Sequence, residues 1–176
     1  MSDAPASTST SSLPPLADLA RRVADMLRAR GETVAVAESS AGGLVSAALL
    51  AIPGASAYFL GGAVIYTKAA RKALMGLTDA DVTGMRAETE PYAKFIAGKV
   101  RDNHGATWGL GETGAAGPTG SRYGDSPGHV CVAVVGTTST ARTIETGDTN
   151  RPANMDVFAR QALLLFAEVL DASAKP

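Results

Sequence analysis

A short β-branched run that turns through polar residues into a helix of small side chains sets the tightest limit on how this chain can fold. Thr33 to Ala37 reads as a buried strand, Glu38-Ser39-Ser40 as a polar turn, and Ala41-Gly42-Gly43 as the opening of a helix that continues to Leu50. Pro53-Gly54 breaks that helix. A strand with no polar face needs cover on both sides, and the strand-to-helix order supplies it.

The rest of the chain repeats the alternation and then departs from it. Leu16, Leu19, Val23, Met26 and Leu27 recur at helical spacing after Pro14-Pro15, and Gly31 stops that helix. Ser56 to Leu60 reads as a short helical turn and Gly62 to Tyr66 as a second strand. Thr67 is placed to cap a helix over Ala69 to Met75. Another helix starts at Glu90-Pro91, with proline in the first turn, and runs to Val100. Ala106 to Leu110 reads as the third strand, and Gly111 to Gly128, rich in glycine with Pro118 and Pro127, as a long loop. His129 to Val135 and Thr140 to Glu145 follow as strands joined by a turn at Gly136, and Asp156 to Leu170 as a closing helix. This order predicts an α/β fold, a three-layer α/β/α sandwich with a mixed central sheet. Residues 15–171 form the single domain, 1–14 a disordered tail poor in apolar groups, and 172–176 a frayed end.

Composition excludes several function classes. With 16 Lys and Arg against 17 Asp and Glu, the net charge is −1, and no basic stripe exists to track phosphates, so no nucleic-acid partner is expected. The single cysteine, Cys131, excludes an intrachain disulfide and a thiolate metal cluster. Two histidines, His104 and His129, are too few for an obvious metal site, so neither metal nor cofactor is expected. No apolar run is long enough to span a membrane, and the Ser/Thr/Pro-rich N-terminus lacks a signal-peptide layout, so a cytoplasmic protein is expected.

Three segments carry the chemistry. In Ala37 to Gly43 a strand gives way to a helix, where free backbone N–H groups suit a phosphate or a developing oxyanion, and Ser39 could serve as nucleophile or anion ligand. The same residues also fit a plain helix cap. Gly62 to Arg71 delivers Tyr66 and Thr67 to a strand end, with Lys68 and Arg71 one helical turn apart, either as cations near the serine or as a solvated face. Gly109 to Gly120 matches G-x-G-x-x-G, but Gly117-Pro118 opposes the helix that pattern needs, and no P-loop ending follows. It remains either a loop whose backbone approaches a ligand or a surface loop. His129, at a strand entrance, is a further candidate base, while Cys131 alternates with valines as a core residue.

Taken in order, VAVAESSAGGLVSAAL, PGASAYFLGGAVIYTKAARKALMGL, the TEP of Thr89 to Pro91, ETGAAGPTG, PGHVCVAV and the RQA of Arg160 to Ala162 resemble the CinA C-terminal-domain family, also known as nicotinamide-mononucleotide amidohydrolases. The resemblance covers about Leu16 to Leu170. It implies a three-layer domain and metal-free hydrolysis of nicotinamide mononucleotide to nicotinate mononucleotide and ammonia. It implies Ser39 as nucleophile, a lysine five residues after Tyr66 as its assistant, and Thr113 as a contributing hydroxyl. Substrate contacts are expected from Glu38, Ser40, Gly42, Gly43, Tyr66, Gly114, Ala115 and Gly117. The chain departs from the pattern at Ala41, where the family usually has Thr, and at Arg71, which holds the lysine position and stays protonated at neutral pH. Lys68, where the family tends to have Asn, could take the lysine role. The stretch Ser121 to Ser126 also replaces an acidic, lysine-containing one. The alternative is a pyridine-nucleotide-binding relative impaired in catalysis. A homodimer is a possible assembly, with a small nucleotide as the only other partner.

Overall fold

The computed structural model describes residues 13–173, so the disorder expected of the first twelve residues and the fraying expected of 174–176 lie outside the described residues. Five strands form one sheet: β1 (Val34–Glu38), β2 (Phe59–Val64), β3 (Trp108–Ala115), β4 (His129–Val135) and β5 (Ser139–Glu145). Their order is β2-β1-β3-β4-β5. β1 pairs in parallel with both β2 and β3, whereas β3–β4 and β4–β5 are antiparallel, giving the mixed sheet expected from the element order. Five α-helices accompany it: α1 (Leu16–Arg30), α2 (Leu44–Leu50), α3 (Lys68–Met75), α4 (Glu90–His104) and α5 (Arg151–Ala172).

The period-2 alternation of the strands divides the core in two. Val34, Val36, Leu110, Val130, Val132 and Val134 face α1, α2 and α5, together with Trp108, whose ring meets Phe166 edge-on at 5.9 Å between centroids. Ala35, Ala37 and Ala63 face the other way, toward Met75 of α3 and Tyr92, Ile96 and Val100 of α4. Helices thus cover both faces, and the three-layer α/β/α sandwich stands.

The second face is built from small residues because α4 lies almost on the backbone of β3. A Cβ added at Gly109 or Gly111 would come within 1.9 Å of the Ala97 carbonyl oxygen or 2.3 Å of that of Ala93. These glycines therefore serve helix–sheet contact rather than a ligand, and a strand can contain them. This corrects the reading of Gly111 onward as loop: the strand continues to Ala115, paired with β4 along its length and with β1 only as far as Gly111.

Other boundaries move for identifiable reasons. α2 starts at Leu44, not Ala41, because Gly42 and Gly43 hold left-handed φ values of 67° and 99°. β2 covers Phe59–Val64 rather than Gly62 to Tyr66, in register with β1 from Val34 to Glu38, which leaves Tyr66 beyond the strand end. α5 begins at Arg151 rather than Asp156, since the Asn150 side chain accepts from the Ala153 N–H at 3.2 Å and a proline occupies the first turn. Thr67 caps α3 as expected, accepting from Ala70 N–H at 3.1 Å. His104 is the exposed last residue of α4 rather than part of a turn.

Candidate active site

Because β1, β2 and β3 run in the same direction, their carboxyl ends open on one edge of the sheet, the usual location for ligands in α/β folds. A cleft of about 470 Å³ lies there, lined by Ser39, Tyr66, Thr67, Lys68, Glu88, the Gly114–Gly117 segment, Thr119, Gly120, Ser121, Arg122 and Arg151. A recess of about 90 Å³ adjoins it, where Ser39 and Glu88 meet Arg71, Tyr92 and Thr113. A separate cavity of about 400 Å³ between β5 and the end of α5 holds none of these residues, and its Arg142 is paired with Glu168.

The half-buried Ser39 follows β1 directly, on a turn locked by a carboxylate from the next strand. The fully buried Glu112 of β3 accepts from the Ser39 N–H at 2.8 Å, the Ala41 N–H at 2.9 Å and the Ser40 hydroxyl. Burial pushes Glu112 up to about 7, against the hydrogen bonds from Ser40, Ala41 and Ser39 that favour its ionised form. The second buried carboxylate, Glu38, caps α2. It accepts from the N–H groups of Gly43, Val45 and Ser46 at 2.9, 3.1 and 3.0 Å and from the Ser46 hydroxyl at 2.7 Å.

This arrangement revises part of the expected site. Glu38 and Ser40 are 0 % and 2 % exposed, and both build the turn without lining the cleft or the recess. Gly42 and Gly43 are absent from the cleft lining, and their N–H groups are engaged by the Ser39 carbonyl and by Glu38. The backbone donors expected to hold an oxyanion at the head of α2 are therefore committed to the protein's own acceptors. Ser39, Tyr66, Lys68, Gly114, Ala115 and Gly117 do share the main cleft, with Arg71 and Thr113 in the recess.

Beside the hydroxyls of Tyr66, Thr119 and Ser121, the site carries several long cationic side chains. Lys68 and Arg71, at the head of α3, both pair with Asp79, Lys68 at 3.0 Å. Arg71 is 7 % exposed and its Nε lacks a hydrogen-bond partner. Burial opposes its charge, but Tyr92 and Asp79 outweigh that and raise its pKa further. Arg151 donates to the Gly117 carbonyl at 2.8 Å and to the Tyr66 hydroxyl at 3.1 Å, and its guanidinium lies 5.6 Å from the centre of the Tyr66 ring. Asn154, fully buried, ties the start of α5 to this wall by donating to the Ala116 carbonyl at 2.8 Å.

His129 is engaged in structure. Its ring contacts the Glu145 carboxylate and, at 2.9 Å, the Glu88 carbonyl. The Cys131 thiol, Glu145 and the Glu88 carbonyl together raise it to about 10 against the effect of burial, so it is a cation at neutral pH and cannot accept a proton there. Four contributors escaped sequence reading: Glu88, Glu112, Arg122 and Arg151. Only Arg151 had a local signal, the Asn150–Pro152 helix start around it. Among the described residues, no group of three or more His, Cys, Asp or Glu side chains is placed to hold a metal ion, and no helix is long and apolar enough to cross a membrane.

A mixed five-stranded sheet between two helical layers is the architecture of the CinA superfamily structures. A Klebsiella pneumoniae CinA superfamily protein matches with a TM-score of 0.83 at 24 % identity, covering 90 % of this chain and 99 % of that one. A competence/damage inducible protein, CihA, from Agrobacterium tumefaciens matches with a TM-score of 0.80 at 28 % identity, over 97 % and 99 % of the two chains. The family described as CinA C-terminal domain matches residues 16–170, and this chain belongs to it. A CinA-like protein of Prochlorococcus marinus (strain MIT 9313) is 43 % identical over 67 % of this chain and 28 % of its own length. One from Anaeromyxobacter sp. (strain Fw109-5) is 38 % identical over 85 % of this chain and 37 % of its own. The chain thus spans about a third of the length of these curated relatives.

Proposed function

We propose that the protein is a serine-dependent amidohydrolase that converts nicotinamide mononucleotide to the nicotinate mononucleotide and ammonia. The observation that carries this reading is the placement of Ser39, on a turn locked by Glu112, in a cleft edged by Lys68, Arg122 and Arg151. In this scheme Ser39 Oγ attacks the carboxamide carbon. The Arg71 guanidinium, fixed by Asp79, stabilises the negative oxygen that develops. Lys68, Arg122 and Arg151 hold the phosphate, the service that guanidinium forks and ammonium groups perform for phosphate oxygens. Tyr66, 57 % exposed beside Arg151, offers its ring to the pyridine.

The experiment is ammonia release from nicotinamide mononucleotide. Wild-type protein is expected to turn it over steadily, and Ser39→Ala to lose at least about a hundredfold, as expected when a nucleophile is removed. Folded wild-type protein that releases no ammonia across neutral pH removes this reading.

One observation favours a second reading, a binding protein impaired in hydrolysis: Arg71 sits buried where the family resemblance expects lysine. On that reading Arg71→Lys gains ammonia release over a wild type that binds without turnover. A wild type at least as active as Arg71→Lys excludes it.

A further inference from the structure

The geometry points to Glu88 as the general base that activates Ser39, a role that rests on the reading of Ser39 as a nucleophile but not on the identity of the amide. A serine hydroxyl needs a proton acceptor to attack. The recess containing Ser39 is also lined by Tyr66, Lys68, Arg71, Glu88, Tyr92 and Arg122. Arginine does not give up its proton in proteins. Lys68 donates to the Asp79 carboxylate at 3.0 Å and is engaged there. His129 is already charged at neutral pH and spends its ring on Glu145 and a carbonyl. Glu88 is the group left in this lining that can accept a proton near neutrality.

Its backbone and side chain fit that assignment. Glu88 is the only non-glycine residue among those described with positive φ, 59°, an uncommon conformation that persists where surroundings enforce it. Both ends of the residue are clamped. Its N–H donates to Thr113 Oγ1 at 3.2 Å, and its carbonyl accepts from His129 Nε2 at 2.9 Å. Thr113 comes from β3 and His129 from β4, so the sheet itself imposes the conformation that places Glu88 in the wall of the recess. The carboxyl Oε2 is buried without a hydrogen-bond partner. Ser39 and Glu88 line the same small recess of about 90 Å³, the setting in which a carboxylate can take a hydroxyl proton directly or through bound water. Burial raises Glu88 above the usual carboxylate range with help from Asp125, against Ser121, Arg122 and Arg86. Lys68 and Arg71 of α3, Tyr92 of α4 and Thr113 of β3 complete the groups around the recess, with His129 behind the Glu88 carbonyl.

The proton balance closes. As the Ser39 Oγ–carbon bond forms, the hydroxyl proton moves to Glu88. That proton passes to the departing nitrogen as the carbon–nitrogen bond breaks, releasing ammonia. Water then attacks the acyl ester, gives its proton to Glu88, and Glu88 returns one to Ser39 Oγ as the acid leaves.

A fluorophosphonate that phosphonylates activated serines tests this on the intact chain without any choice of substrate. Mass spectrometry reads labelling of Ser39 from pH 4 to 10. Wild type is expected to label with a rate that rises through one inflection below neutral-to-mildly acidic pH and then levels. Glu88→Gln is expected to label about a hundredfold more slowly at pH 7, the lower range for a general base, with that inflection gone. Glu88→Asp keeps the inflection, and thermal melting confirms that both variants are folded. Labelling of Glu88→Gln at the wild-type rate, a wild-type inflection that survives the substitution, or failure of wild-type Ser39 to label each overturns the assignment. Labelling that follows these expectations without ammonia release from nicotinamide mononucleotide overturns the substrate reading and leaves Glu88 its role.

Discussion

Glu38→Ala is expected to lower the thermal midpoint by about 10 °C. The variant leaves the N–H groups of Gly43, Val45 and Ser46 and the Ser46 hydroxyl without their acceptor, in a place where Glu38 itself is fully buried. Each buried donor stranded in this way costs about 1–3 kcal/mol, and some relaxation toward water recovers part of it, so a loss of about 3–5 kcal/mol is expected. At about 2–4 °C per kcal/mol for a chain of this size, that is the shift stated. Glu38→Gln retains one acceptor oxygen but turns a donor toward donors, and should fall between. Thermal denaturation of both variants checks the prediction. A midpoint within 2 °C of wild type for the alanine variant would show that the head of α2 does not depend on this carboxylate.

Stability is expected to fall as pH rises from about 5 to 10, the reverse of the common pattern in which salt-bridged carboxylates favour the folded state at neutral pH. Glu112 is raised from 4.5 to about 7, so the folded protein holds a proton there that the unfolded chain has released. Its contribution is complete below the unfolded value and is lost as pH climbs through 7. His129 is raised from 6.5 to about 10, so its contribution is complete below pH 6.5 and disappears as pH passes 10. Both act in the same direction, as does the raised Glu88, and the shifts of Glu112 and His129 together bound the effect at roughly 8 kcal/mol. Asp79 and Asp125 are lowered, so their contributions change only in acid, below this window. Urea unfolding at several pH values reads the slope. Glu112→Gln should flatten it between about pH 4.5 and 7, and His129→Gln between about 6.5 and 10. A wild-type stability that is level from pH 5 to 10 would contradict both assignments.

Much of this arrangement was legible before any coordinates. Ser39, Tyr66 and Lys68 follow strand ends, and parallel strands bring such ends together whatever the intervening loops do. The need for cover on both faces was equally readable from a first strand with no polar face. The glycines of β3 were harder, because a glycine that admits a neighbouring helix and a glycine that admits a ligand look the same in a string of letters. Gly109 and Gly111 were settled only by the carbonyls of Ala97 and Ala93 across the layer. Glu112 and Glu88 depend on distance along the chain. The Glu112 carboxylate reaches residues more than seventy positions earlier, and Glu88 acquires its conformation from Thr113 and His129 on other strands. No local pattern records such contacts. Glu38 and Ser40 pose a related difficulty: a polar residue beside a half-exposed serine reads as ligand-facing, and only burial shows that these two point inward.

The serine turn is anchored almost entirely through main-chain amides gripped by two interior carboxylates, while the groups that would meet a ligand sit on separate segments around it. Substitutions at the cleft edge can therefore leave the mounting of the Ser39 turn intact. Descendants of this scaffold are free to drift in what they accept while keeping the hardware that presents the hydroxyl.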